Sequence, residues 1–411
     1  MSDTISDMNG HVKPEFQSIA DALERQVDET GVGGAAVSVY YEGEEVCDVW
    51  TGDAGPDSDR PWQRDTLAMS YSTTKGVAST SLHMCVDRGL LDYDDPVSKH
   101  WPEFGQNAKE AITVRQVLCH EAGLYPIRSL VDDAFVMNDW DAMVAALEAA
   151  EPVFEPGSAN AYHGLTFGWL VGELVRRTSG KPISAFVADE IAAPLDLDGC
   201  YIGIPESELG RVATLIFPDS NPLMSGGAEV DAGTVASDSE GGKSMIEMAR
   251  EMGFDIDLDR IVEALMPHSM TQWVQDPAAL LASVPAANGC FTARSLARMY
   301  ATLANGGELD GVRLLSEDTI KRAAEQQNAR PDLVIVMPMM WRLGYHPAFT
   351  LKGQLLSSFG HSGFGGSGAW CDPGRNLAAA MTVNRISGSA VGDQRIAEIN
   401  SLALEAAKAA A

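Results

Sequence analysis

The chain has 411 residues, 45% of them hydrophobic, enough to bury a large core and more than one compact core usually serves. Its 58 acidic side chains against 29 basic ones leave a formal net charge of -29, which repels nucleic acid and anionic membrane surfaces and argues against both as partners. The six cysteines, Cys47, Cys85, Cys119, Cys200, Cys290 and Cys371, form no Cys-x-x-Cys pair, which argues against a zinc or redox motif.

In chain order, Met1 to Gly10 has no basic start followed by an apolar run, and no apolar stretch is long enough to span a bilayer. The expectation is a cytoplasmic protein with reduced, packed thiols. Phe16, Ile19, Leu23 and Val27 recur at helical spacing and predict a helix over 14–28. Ala35 to Tyr41 and Glu45 to Trp50, β-branched and aromatic runs joined through Gly43, predict a hairpin. Helical patterns follow at 76–88, 113–119, 139–149, 164–178 and 182–191, with Gly89, Gly123 and Gly180 as plausible helix ends. Residues 205–280, acidic and interspersed with Gly and Met, read as an insertion that covers substrate. Near the end, Gly368 to Cys371 and Leu377 to Asn384 flank the turn Asp372-Pro-Gly-Arg375, and an Ala-rich helix closes the chain. The pattern predicts an α+β protein. An antiparallel sheet is built from both termini and flanked by helices, with a helical lobe inserted between. Residues 1–70 and 285–411 form the α/β lobe and 71–284 the mainly helical one.

Three segments carry chemistry. Ser72 and Lys75, in the one Ser-x-x-Lys of the chain, lie a turn apart on one helix face and place a hydroxyl beside an amine. A lysine whose pKa is lowered by burial can help take the serine proton. Tyr162 follows a Pro-Gly turn at the start of a helix; held near an ammonium its phenol is expected to ionise more easily and, as tyrosinate, to accept that proton. Third, Phe359 to Gly368 is Gly-rich and precedes a strand, so the N–H of Phe364 is a candidate to face an oxyanion.

Other motifs fail on inspection. Gly360-His-Ser-Gly-Phe364 lacks the final Gly of a nucleophile elbow. Gly242-Lys-Ser244 has Ser237 where a phosphate loop needs Gly. His83 and Asp87 share a helix face without a third ligand and read as ordinary helix polar residues. No metal or cofactor is implied.

With Ser72-Thr-Thr-Lys75, Tyr162 and His361-Ser-Gly363 in that order, the chain resembles the serine β-lactamase-like superfamily, of class C and penicillin-binding protein type, and most of all the family VIII carboxylesterases. The runs Ile112 to Leu124 and Pro285 to Ala293 agree with it. The resemblance implies a two-lobed β-lactamase-like fold, with Ser72 as acylated nucleophile, Lys75 as its hydrogen-bonded partner and Tyr162 as the base that activates serine and then water. It also implies an oxyanion resting on the N–H groups of Ser72 and Phe364, with Gly164, His361 and Gly363 at substrate-binding positions. Two departures stand out. Gly164 replaces the asparagine of the class C Tyr-x-Asn, and His361 replaces the lysine of Lys-Thr-Gly, removing an amide and a permanent cation.

These changes favour a serine carboxylesterase that cleaves short-chain esters through an acyl-enzyme on Ser72, with a small-molecule ester as its partner. The rivals are a peptidase or amidase of the D-aminopeptidase or weak β-lactamase type, and a non-catalytic binding relative. Nothing in the sequence specifies a subunit number. The acidic excess also fits salt adaptation. Thermal melts in rising NaCl should then show a climbing Tm as surface repulsion is screened, and an unchanged Tm removes that reading.

Overall fold

The computed structural model describes residues 8–56, 60–217, 257–387 and 393–411. Gly242-Lys-Ser244 and most of the expected 205–280 insertion lie outside the described residues. In chain order the strands are β1 (Asn9–Val12), β2 (Gly34–Tyr41), β3 (Glu44–Gly52), β4 (Ala68–Met69), β5 (Cys200–Tyr201), β6 (Cys290–Phe291), β7 (Glu308–Leu309), β8 (Val312–Arg313), β9 (His346–Thr350), β10 (Gly353–Ser362), β11 (Gly368–Asp372) and β12 (Leu377–Val383).

Seven of these form one sheet in the order β1-β3-β2-β12-β11-β10-β9, all pairs antiparallel. The two ends of the chain meet where Val37 of β2 faces Met381 of β12. This is the sheet expected from both termini. Its first hairpin turns through Glu42 and Gly43, both at positive φ, the geometry whose twist matches the flanking strands.

Strand alternation explains why both faces of this sheet are covered. Leu377, Ala379, Met381 and Val383 of β12 pack with Ile19 and Leu23 of the helix Gln17–Thr30 and with Ile396 and Ile399 of the helix Gln394–Ala410. Ala378 and Ala380 face the opposite way, into the core shared with Ala297 and Tyr300 of the helix Ala293–Ala304. Small residues on that face let the helix approach closely.

The helix Thr74–Asp87 is buried on every side from Thr74 to Val86, although much of it is polar. Its hydroxyls tolerate burial by bonding locally: Thr80 donates to the Gly76 carbonyl at 2.8 Å, Ser81 to that of Val77 at 3.0 Å, and Ser79 to Gly344 at 3.1 Å. His83 bonds the Leu343 carbonyl and the Tyr93 hydroxyl, while Asp87 accepts from Ser316 and Thr319. Both are helix polar residues with structural partners, as expected.

Several elements differ from the sequence reading. The helix expected over 182–191 starts as Ile183–Phe186 and widens into a π-helical turn, Val187–Ala192. Gly89 and Gly180 end helices, whereas Gly123 stands in a loop beyond the helix Val114–Leu118. Phe359 to Ser362, expected in a Gly-rich loop, belong to β10; Gly360 pairs with Trp370 across the sheet, where a Cβ would lie 2.2 Å from the Ala369 carbonyl oxygen. All six cysteines are buried free thiols. Among the described residues, no helix is long and apolar enough to cross a membrane.

Gly363, just past β10, presses on the turn that follows β4. A Cβ there would lie 2.2 Å from the Ser70 carbonyl oxygen and 2.9 Å from Thr73 Oγ1. Gly363→Ala should therefore cost about 1–3 kcal/mol in urea unfolding, and unchanged stability would mean the loop yields freely.

Candidate active site

The site begins with a bend in the backbone. After β4, Tyr71 adopts φ 44°, an uncommon conformation for so bulky a residue, and the chain enters a 3-10 turn, Tyr71–Thr73. Ser72 is thereby set immediately ahead of the helix Thr74–Asp87, at the positive end of its dipole. The Tyr71 ring is held edge-on against Phe364, centroids 5.5 Å apart.

At the second residue of that helix, Lys75 is completely buried. Its Nζ lies 2.7 Å from the Gly164 carbonyl, 2.9 Å from the Ala286 carbonyl and 3.0 Å from Ser72 Oγ. Among the described residues no carboxylate is within ion-pair distance, and burial holds the amine well below its ordinary range. Carbonyls only accept, so Nζ donates to Gly164 and Ala286, and an amine that loses its proton there keeps a lone pair for Ser72.

Tyr162 closes the triangle. It stands in the loop before the helix Thr166–Ser179, and its hydroxyl donates to Ser72 Oγ at 2.8 Å. The expectation of an easily ionised phenol is overturned. Burial pushes its pKa up, the Ser72 hydrogen bond offsets this only in part, and the negative charge of Asp332 adds to the rise. Lys75 Nζ sits over the ring face, 4.8 Å from its centroid, and makes its hydrogen bonds to two carbonyls and Ser72 Oγ rather than to the phenol oxygen.

Gly164 and Gly363 both serve close approach. A Cβ on Gly164 would lie 2.1 Å from Leu265 Cδ2 and 2.9 Å from the Ala264 carbonyl oxygen, because the helix Leu258–Leu265 docks there. The space of a side chain at 164 is thus filled by leucine. The N–H of Gly363 is taken by the Ser367 carbonyl at 2.7 Å, whereas the N–H of Phe364 has no acceptor among the described residues.

His361 is buried and neutral. Its Nδ1 donates to the Ser362 carbonyl at 2.8 Å, which leaves Nε2 as a lone pair without a partner among the described residues. Burial, with His346 and Lys75 nearby, holds its pKa well below the ordinary range. Burial likewise brings His346 to about 4 and His163 to about 3, and keeps His120 well below its usual value.

Sequence reasoning missed several neighbours. Trp341 stacks on Tyr162 at 5.7 Å and 6°, and the His120 ring lies 4.9 Å from Tyr162 and 4.4 Å from Trp341. Asp332 accepts from the N–H of Tyr162 at 3.0 Å. Leu265 and the Ala286 carbonyl also belong here. His120 and Ala286 lie in the runs 112–124 and 285–293 that carry the resemblance, whereas Leu265, Asp332 and Trp341 sit in no recognisable motif and meet the site through the fold alone. The arrangement places a serine hydroxyl between an amine whose pKa burial lowers and a phenol whose pKa burial raises, a combination suited to nucleophilic attack and proton transfer.

A model of the family described as beta-lactamase matches residues 19–403. The esterase/beta-lactamase LipL of Mycobacterium tuberculosis is 37% identical over 382 residues, covering 92% of this chain and 83% of LipL. Among solved structures, a family VIII carboxylesterase superposes with TM-score 0.82 and 32% identity, covering 98% of this chain and 100% of its own. A penicillin-binding protein homolog from Caulobacter crescentus gives TM-score 0.81 and 33% identity, covering 97% and 100%. The chain belongs to the beta-lactamase family, as a β-lactamase-fold serine hydrolase with carboxylesterase relatives.

Proposed function

We propose that the protein is a serine carboxylesterase that cleaves short-chain esters through an acyl-enzyme on Ser72. The observation that carries the mechanism is the contact of Ser72 Oγ with both Lys75 Nζ, at 3.0 Å, and the Tyr162 hydroxyl, at 2.8 Å. Ser72 Oγ attacks the ester carbonyl carbon as the neutral amine of Lys75 takes its proton. The N–H groups of Ser72 and Phe364 face the oxyanion, each such donor contributing about 2.7–4 kcal/mol to the transition state. Collapse breaks the bond to the alkoxide, which takes the proton of the Tyr162 hydroxyl and departs as alcohol. Water then attacks the acyl-enzyme and gives a proton to the tyrosinate. When the second intermediate collapses, Ser72 leaves the acyl carbon and recovers its proton from the Lys75 ammonium. Every group ends as it began.

In this scheme the tyrosinate exists only between the two steps, beside an ammonium that offsets its charge. A phenol of raised pKa is then an advantage, because its conjugate base is strong when water must be activated.

The preference for esters rests on what surrounds this triangle. Leu265 fills the space a side chain at 164 would need, and His361 supplies a neutral ring in place of a cation. Tyr162 is packed among Tyr125, Val334, Met339 and Phe349, with Ile261 and Leu265 partly buried against them. Such walls favour an uncharged acyl group over a charged amide substrate.

An ester series of increasing acyl length, assayed beside a chromogenic cephalosporin, should show faster turnover of short esters; faster cephalosporin turnover would overturn the preference. Ser72→Ala should abolish both turnover and labelling by a serine-directed phosphonate, with mass spectrometry placing the adduct of the parent enzyme on Ser72. The pH profile follows from the two shifted groups. As pH rises, kcat/KM should increase along a limb set by loss of the Lys75 proton, far below the usual lysine range. It should not decline through the ordinary range of a phenol, because burial raises Tyr162. Retained activity in Lys75→Arg, whose cation cannot accept a proton, would exclude Lys75 as base.

A further inference from the structure

The segment from Pro331 to Trp341 folds around one carboxylate. Asp332 Oδ1 accepts from the backbone N–H of Tyr162 at 3.0 Å, of Val334 at 2.9 Å and of Ile335 at 3.0 Å. Its Oδ2 accepts from Asn160 Nδ2 and from the Trp341 indole N–H, both at 3.2 Å. All five bonds come from N–H donors, which match an ionised carboxylate, an acceptor at both oxygens. Burial pushes its pKa up, and the hydrogen bonds work in the opposite direction to hold the charge.

This segment is backbone-strained as well as tightly bonded. Val336 has φ 74° and Met340 φ 51°, both unfavourable for residues with a Cβ and severe for β-branched valine. The N–H of Val336 returns to the Asp332 carbonyl at 2.8 Å, and the N–H of Leu333 bonds the Asn160 carbonyl at 2.9 Å. Strain of this kind persists only where surrounding contacts over-determine it. Here those contacts converge on Asp332.

We propose that Asp332 is a positioning residue for the reaction: one carboxylate fixes the backbone of Tyr162 and the Trp341 ring stacked on it, and so sets the Tyr162 hydroxyl over Ser72. Asp332 does not touch Ser72 or any reacting atom. Its effect passes through Tyr162, on one side by the direct bond to the Tyr162 N–H and on the other by the indole that forms the back of the phenol ring. A displacement of about 1 Å at a proton-transferring hydroxyl costs up to about 100-fold in rate.

The assignment rests on the esterase reading for its reaction but not for its test. Asp332→Asn keeps the size and an oxygen for the backbone donors while removing the second acceptor for the indole and Asn160. Its kcat for a short ester should fall about 10- to 100-fold with KM nearly unchanged, and phosphonate labelling of Ser72 should slow in parallel. In a Tyr162→Phe background, where no hydroxyl remains to be placed, the same substitution should cost less than about twofold. Losses that multiply in the double variant, or a change confined to KM, overturn the proposal, since a merely structural carboxylate would act independently of the hydroxyl. If Asp332→Asn does not fold, Trp341→Phe removes the indole donor while keeping an aromatic ring on Tyr162. Its kcat loss must vanish in the same background, and an undiminished loss overturns the proposal equally. Absence of ester turnover in the parent protein with normal phosphonate labelling would refute the esterase reading alone, and the cycle is then decided on labelling rates.

Discussion

The burial of Lys75 without a counter-charge is the constraint on which the site depends. A cation placed so deep is costly, and its interior partners are two carbonyl oxygens and a hydroxyl. Deprotonation relieves the cost and produces an amine that is useful only next to an acid it can deprotonate. Ser72 is that neighbour. The surrounding histidines follow the same logic, since each of His120, His163, His346 and His361 is kept neutral by burial and adds no charge against the amine. The pocket is therefore polar in its hydrogen bonding, with no carboxylate within ion-pair distance of Lys75 among the described residues.

Asp332 is the exception that fits this pattern. Its negative charge raises the Tyr162 phenol, in the same direction as burial does, and keeps the hydroxyl a donor. Burial lowers the Lys75 pKa with no carboxylate in ion-pair distance among the described residues, and burial raises the Tyr162 pKa with Asp332 adding to it. Two groups that touch the same oxygen thus have pKa values shifted in opposite directions, which suits the acceptor and donor roles proposed for them. Divergent pKa values in one site are how acid and base are distinguished.

Close backbone approach determines the shape of the pocket. Gly363 lets the end of β10 press on the Ser72 turn, and Gly164 lets the helix Leu258–Leu265 seat Leu265 against the chain that bonds Lys75. Each glycine is a contact surface between elements far apart in sequence. An asparagine at 164 would collide with that helix, so the loss of the amide and the presence of the leucine are one structural fact.

Sequence alone determined the local features: the hairpin at Gly43, the amphipathic first helix, the terminal strands, and the Ser72 to Lys75 spacing that a single helical turn converts into contact. Periodicity and turn chemistry encode such geometry within a few residues. It also supplied Tyr162, through the resemblance rather than through spacing. Tertiary structure decided the rest. The rise of the Tyr162 pKa comes from burial with Asp332 adding to it, and the Ala286 carbonyl that holds Lys75 beside it is 211 residues from the lysine. Phe359 to Ser362 became strand because β11 pairs with them, against their own weak propensity. Asp332 lies 170 residues from the tyrosine it holds and sits in no motif. Burial and long-range hydrogen bonding set these charge states, and neither exists until the chain has folded.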